Sequence, residues 1–335
     1  MIKKLVILMV VLCSVAFVKT AKADADNPLS VIPDLPSNQV NKQASWFDLL
    51  LGDGKAQELS LDLVNSGQKA ITVDISVAPA LTNDNGLITY SPSSQKPDAS
   101  LKYNLKDYLK GPDKVEIPAV SSKKVSFKLK MPEAQFDGVI AGGINFSVEN
   151  QASSNFRVQS LYQYALAVNL QENTRAVAPS LELDKLEADN SNVTLGLANP
   201  AMAYMNQLML DLSLKSKDGK VYHYHSSKLE MAPNSSFKLA IPRKLLGQVP
   251  AGEYQASLTA YAKQDATGKY SYQGGHYDYA WKFKQALTIS QKKEAIGEAV
   301  TIKPKSSLLP WLIIGVSLLL VFAIFGGLYY KKGRS

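Results

Sequence analysis

Cysteine is almost missing from this chain. The single Cys13 sits inside an apolar N-terminal run, with Leu12 before it and further apolar residues after it. A lipid-acceptor cysteine needs a small residue before it and the mature chain after it, so lipidation is not expected. Without another cysteine, disulfides, a thiolate nucleophile and a cysteine metal site are excluded. Histidine is nearly as scarce. His223 and His225 lie two apart on an expected strand and share one face, and only His276 remains. Zinc takes three or four ligands, so the pair reads as a solvated strand face and no metal is expected. Local signatures of catalysis are missing too: there is no G-x-S-x-G, no H-E-x-x-H and no recognisable Ser-His-Asp set. The chain reads as a non-enzyme without cofactor.

The charge is also not what its total suggests. The net +8 and pI near 9 come from the two ends. Lys3, Lys4, Lys19 and Lys22 precede the first acid, and Lys331, Lys332 and Arg334 follow the uncharged C-terminal run, which leaves 30 basic residues against 29 acids. A nucleic-acid footprint needs a concentrated basic face, so no nucleic-acid partner is expected. Lys3 and Lys4, the apolar run Leu5 to Val18 and the small-x-small triplet Ala21-Lys22-Ala23 make residues 1–23 a secretory signal, cleaved before Asp24. Leu308 to Leu328 carries no charge over 21 residues, enough to cross a bilayer core of about 30 Å. Trp311 and Tyr329-Tyr330 mark its interfaces, and the basic residues after it place the tail in the cytoplasm and the bulk of the chain outside. The expected membrane helix is 308–330, with a cytoplasmic tail at 331–335. "SLLPWL" is not a sortase signal, so the helix is expected to remain in the membrane.

Helical periodicity is lacking between the two ends; period two dominates. Ala56 to Asn65, Ala70 to Ala80 and Lys123 to Met131 alternate apolar and polar residues, as half-buried strands do. Leu161 to Leu170, Asn192 to Asn199, Gln207 to Ser216, Lys220 to Ser227, Ser235 to Ile241, Ala251 to Ala262 and Asp278 to Ser290 continue the pattern. Turn signals separate them at Asn65, Asn83 and Lys110. The expected fold is all-β: two tandem immunoglobulin-like antiparallel β-sandwiches, at 30–150 and 159–290, followed by a stalk at 291–307. The polar stretch Glu149 to Ser160 divides the halves, with the boundary placed near Ala152 to Val158.

Two stretches attract a functional reading. "FDGVIAGGINFSV", Phe136 to Val148, puts Gly138, Gly142 and Gly143 beside Asp137. A phosphate loop needs a helix after its glycines, whereas Ile144, Phe146 and Val148 alternate onward as a strand. Asp137-Gly138 then reads as the turn that opens the strand. Gly142-Gly143 permits a bulge or close backbone approach within it, or a bare strip where a glycan could lie. "GKYSYQGGHYDYAW", Gly268 to Trp281, reads as a long hairpin loop whose Tyr270, Tyr272, Tyr277 and Tyr279 are candidate contacts for sugars or proteins, since tyrosine pairs an apolar ring with a polar tip.

The residues quoted next carry a family resemblance. "LPSNQ" (Leu35 to Gln39), "WFDLLL" (Trp46 to Leu51), "LVNSGQKAITVDI" (Leu63 to Ile75), "ALTNDNGLITY" (Ala80 to Tyr90) and "KMPEAQFDGVIAGGI" (Lys130 to Ile144) follow one another in order. With them the chain from about Val31 to Val148 resembles the peptidoglycan-binding domain of the WxL-interacting proteins of Gram-positive bacteria. "MAPNSSF" (Met231 to Phe237), "AGEYQA" (Ala251 to Ala256), Trp281 and "EAIGEAV" (Glu294 to Val300) make Leu161 to Ile302 similar to that family's host-binding domain. Gly52 to Lys55 replaces the family's Pro-Gly turn, and Ile296-Gly297 replaces its "LN". The resemblance implies an anchored surface protein that contacts peptidoglycan through the first domain and WxL-domain proteins or host extracellular matrix proteins through the second. A peptidoglycan hydrolase is the enzymatic alternative, because glycosidase carboxylates leave little local trace. An assembly or export factor for surface proteins is the other.

Overall fold

The strands whose alternation is strictest in sequence are also those that line the core. In a computed structural model, which describes residues 27–149 and 161–290, Leu59, Leu61 and Leu63 of β3 (Ala56–Asn65) point inward and are buried, while Ser60 and Asp62 do not. Val125, Phe127 and Leu129 of β9 (Ser121–Lys130) face them in antiparallel register, Leu59 opposite Phe127 and Leu61 opposite Val125. The expected leader, stalk, membrane helix and tail lie outside the described residues. Among the described residues, no helix is long and apolar enough to cross a membrane.

Two sheets close over the first core. One runs β1 (Leu29–Asp34), β3, β9 and β7 (Leu109–Lys110). The other runs β2 (Phe47–Leu50), β11 (Leu161–Gln171), β10 (Ile140–Glu149), β4 (Ile71–Pro79) and β8 (Lys114–Ile117). A one-turn helix, α1 (Leu105–Tyr108), plugs one side with fully buried Leu105; Asn104 caps it by accepting from the Lys106 N–H. Buried Asn65 ends β3 by donating to the carbonyls of Lys69, Ile117 and Pro118, which ties two backbone segments to one amide in a site that water cannot serve.

β11 corrects the expected division of the chain. Read from sequence it opens the second sandwich, because it follows the polar stretch at 149–160. In the fold it pairs with β10 along its length, Phe146 opposite Tyr164 and Ile144 opposite Leu166, and it runs parallel to β2, Val168 beside Phe47. Leu166, Val168 and Leu170 complete the first core. The pairing with β2 is also a parallel departure from the antiparallel pattern expected throughout.

The second sandwich therefore begins at β12 (Glu182–Ala188). Its smaller sheet is β12, β13 (Asn192–Asn199) and β16 (Ser235–Pro242). Its larger sheet runs β15 (Val221–Met231), β14 (Met205–Ser216), β17 (Gly252–Gln264), β19 (Gly275–Ile289) and β18 (Tyr270–Tyr272). Both sheets contribute to one buried cluster that includes Val193, Leu195, Leu210, Leu212, Leu258 and Phe237. The stretch expected as a long loop is a tight hairpin: Tyr272 pairs with Gly275 across Gln273 (φ 46°) and Gly274 (φ 79°). Two consecutive positive φ values suit the right-handed twist of a hairpin.

The sandwiches share a polar joint within one compact unit. A small hairpin, β5 (Leu81–Thr82) with β6 (Ile88–Thr89), leaves the first sandwich and lies against the second. The Thr82 hydroxyl is 2.6 Å from the Ser235 hydroxyl and accepts from the Ala232 N–H at 3.0 Å, both in buried surroundings. The Glu230 N–H donates to the Gly86 carbonyl at 2.7 Å, and the Val139 N–H to the Met202 carbonyl at 2.8 Å. Tyr204 donates to Asn169 at 2.7 Å and lies 3.3 Å from the Tyr90 hydroxyl. Burial first, then Tyr90, pushes the Tyr204 phenol well above its usual range.

Candidate functional site

The residues singled out in Phe136 to Val148 belong to the frame of the molecule. Asp137 accepts from Arg175 at 2.7 Å and from Asn173 at 3.0 Å, on the segment that leads out of the first sandwich. Glu172 of that segment accepts from the Phe136 N–H at 2.9 Å. Gly138 sits at φ 95°, and a Cβ there would lie 2.2 Å from the Met202 carbonyl oxygen, so the joint itself requires the glycine. Gly142 and Gly143 stay in continuous register with β4 and β11, without a bulge. A Cβ on Gly142 would meet the Ala78 carbonyl and Leu105 at 2.5 Å, and one on Gly143 would meet Tyr90 at 2.8 Å. The close approach is internal and buried, so the pair offers a glycan no bare strip.

The four candidate tyrosines separate into three environments. Tyr270 is exposed on β18. Tyr272 stacks on Tyr261 with centroids 4.7 Å apart and donates to Asp211 at 2.7 Å. Burial first, then that carboxylate, pushes its phenol up. Tyr277 is buried beside Tyr261 and Met209 and is closed to any ligand. Lys263, at φ 57°, drops out of the β17–β19 register next to it and ion-pairs with Asp278. Tyr279 is half-buried and stacks on Trp281 at 6.0 Å. Tyr279, Trp281 and Phe283 sit opposite the buried Ala262, Ala260 and Leu258 and so face inward. The three-stranded sheet does not cover them fully, and all three keep partial exposure. His223 and His225 are exposed on β15, and among the described residues no group of three or more potential metal ligands gathers.

A surface feature that local sequence does not mark lies beside α1. An open groove of about 400 Å³ is lined by Lys102, Tyr103, Asp107 and Tyr108 on one side and by Lys130 to Ala134 on the other. Tyr103 is buried and fixed between Tyr108 and Phe136, at 6.1 and 5.2 Å. The Lys102 ammonium lies 4.9 Å over the Tyr103 ring, and Lys130 pairs with Glu133 at 2.8 Å. The only sequence signal for it is the Met131-Pro132 motif, 23 residues beyond Tyr108.

Two family domains match the chain in order: WxL Interacting Protein, peptidoglycan binding domain, over residues 29–148, and WxL Interacting Protein, host binding domain, over residues 153–296. The chain belongs to the WxL-interacting protein family. Both domains are named for binding, not for a reaction, and place the family at the bacterial cell surface. The second match starts ahead of β11, although that strand folds into the first sandwich. No curated protein matches the chain. Among solved structures, a chain of the chaperone–tip adhesin complex of CFA/I fimbriae is 12% identical over 78% of this chain and 99% of its own, with a TM-score of 0.33. The YadV chaperone is 13% identical over 77% and 100%, at 0.32. A chain of the CsuC–CsuE pre-assembly complex of Acinetobacter baumannii is 14% identical over 64% and 91%, also at 0.32.

Proposed function

We infer that the chain is a membrane-anchored binding protein on the surface of a Gram-positive bacterium. Its first sandwich contacts peptidoglycan, and its second engages WxL-domain proteins, with host matrix proteins as the other partner class. The observation that carries this reading is the ordered pair of family domains, which together cover nearly all the described residues. Anchorage is supported by the uncharged stretch at 308–330 and the basic residues that follow it. Strand dimensions give each sandwich a length of roughly 40 Å, so two in tandem suit contact inside the wall better than reach to a distant surface. The half-exposed rings of Tyr279, Trp281 and Phe283 give the second sandwich an aromatic strip suited to a protein partner.

The test uses the full chain in detergent, incubated with purified sacculi and separately with a WxL-domain protein. Co-sedimentation with the first and capture of the second are expected, as is recovery of the native protein in the membrane fraction. A folded sample that binds neither refutes the reading. Clearing of peptidoglycan in a zymogram would replace it with a hydrolase.

A further inference from the structure

The groove beside α1 lies wholly within the match to the peptidoglycan-binding domain and takes no part in the joint. Its construction is unlike that of a packing defect. The aromatic floor is rigid: buried Tyr103 is held between Tyr108 and Phe136. Tyr108 ends the four-residue helix one turn after Leu105; part of its ring packs against the first core and the rest stays exposed at the groove. Around these rings stand two cations, Lys102 and Lys130, and two anions, Asp107 and Glu133. The rim carries both signs, and the groove is open to solvent.

We propose that this groove is a muropeptide-binding site, with Tyr108 under the apolar face of a sugar ring and the four charges on the stem peptide. The proposal rests on the reading of the first sandwich as a peptidoglycan binder and adds the place and the chemistry. A pyranose presents a face of C–H groups that stacks on an aromatic ring, while its hydroxyls stay in water; tyrosine matches that amphipathic character. Because neighbouring rings fix the floor, binding immobilises little that is not already ordered. The stem peptide carries carboxylates and amines on one short chain, and a rim with both signs can meet both. The rim side chains are exposed, Lys130 and Glu133 by 65% and 75%. Exposed pairs contribute about 0–1 kcal/mol each, so the ring supplies most of the affinity and the rim selects peptide-bearing glycan. An open groove also admits a polymer at any point along its strand, where an enclosed pocket would accept only an end.

The experiment measures retention of the full chain in detergent on purified sacculi, and on glycan strands stripped of peptide by an amidase. Tyr108→Ala is expected to weaken retention on both about tenfold, the equivalent of about 1.4 kcal/mol. The double reversal Lys130→Glu with Glu133→Lys keeps the internal pair but moves its charges; it is expected to weaken retention on sacculi several-fold and leave stripped glycan unaffected. Tyr164→Ala, an exposed tyrosine elsewhere on the first sandwich, is expected to change nothing. A folded Tyr108→Ala protein retained like the parent overturns the site while the peptidoglycan reading stands. If Tyr108→Ala does not fold, the charge reversal decides, and unchanged retention on sacculi overturns the site. A parent chain that sacculi do not retain refutes the peptidoglycan reading, and the site with it.

Discussion

The two sandwiches enclose similar cores with differently matched sheets. In the first, a four-stranded sheet faces a five-stranded one, and Phe47, Phe127 and Phe146 are all buried from both sides. In the second, a five-stranded sheet faces only three strands. Tyr279, Trp281 and Phe283 of β19 stay partly exposed on an inward face. A balanced pair of sheets hides the aromatics that lie between them, and the groove is built beside it by an added helical turn. An unbalanced pair exposes core-type rings without any added element. The same architecture thus produces two kinds of binding surface, a polar-rimmed groove and an aromatic strip.

The largest test of this contrast attacks the balanced core. Phe127 is fully buried and packs across from Leu59. Phe127→Ala should cost about 3–5 kcal/mol, read by chemical denaturation. Because the joint ties the sandwiches with buried hydrogen bonds, the second sandwich is expected to lose its native signal in the same transition. Two separate transitions in the parent chain would show that the joint does not couple them. Gly138→Ala comes next. It forces a left-handed residue and drives a Cβ into the Met202 carbonyl, for a loss of about 3 kcal/mol. Here the single transition is expected to split, since the Val139 to Met202 hydrogen bond goes with it. A variant that melts as one unit at the parental midpoint would deny the glycine its role.

What the sequence reveals follows from distance along the chain. β3 and β13 match the alternating segments read from sequence residue for residue, because inward and outward residues alternate within one strand. Partner choice is not local. Nothing in Leu161–Gln171 states that it will lie beside Phe47, more than a hundred residues earlier. The joint is still less legible: Thr82 and Ser235 are 153 residues apart, and each alone is an ordinary loop or strand residue. Gly138 could be read as a turn but not as a seat for Met202. The tyrosine-rich hairpin is legible as a cluster, but the burial of each member is set by what packs on it from elsewhere: Tyr261 and Met209 on Tyr277, and Tyr261 and Asp211 on Tyr272. The groove is not legible in the sequence because it joins a four-residue helix to a motif that alternation does not mark.

A smaller effect separates strip from core within one hairpin. Tyr277→Ala removes a buried ring and should destabilise the second sandwich by about 3 kcal/mol. Tyr279→Ala removes a half-exposed one and should cost under about 1.5 kcal/mol of stability, while lowering capture of a WxL-domain protein about tenfold. If Tyr279→Ala leaves capture unchanged, the aromatic strip is not where that partner docks.

The smallest expected effect is Tyr272→Phe, and its sign with pH distinguishes it from a packing change. The phenol donates to Asp211 and is pushed above the ordinary value of 10.0 by burial and by that carboxylate. The folded state therefore holds this proton more tightly than the unfolded chain does. The stability it contributes is fully present below about pH 10 and is lost as pH rises through the interval above it. Removing the hydroxyl should cost about 1 kcal/mol at neutral pH and should flatten the alkaline fall in stability. The fall will not vanish, because Tyr90, Tyr204, Tyr254 and Tyr261 are shifted in the same direction. Denaturation of parent and variant at neutral pH and above pH 10 reads the difference. Equal alkaline slopes would mean that the Tyr272–Asp211 hydrogen bond does not hold the proton in solution, and that ring packing against Tyr261 and His225 keeps this tyrosine in place.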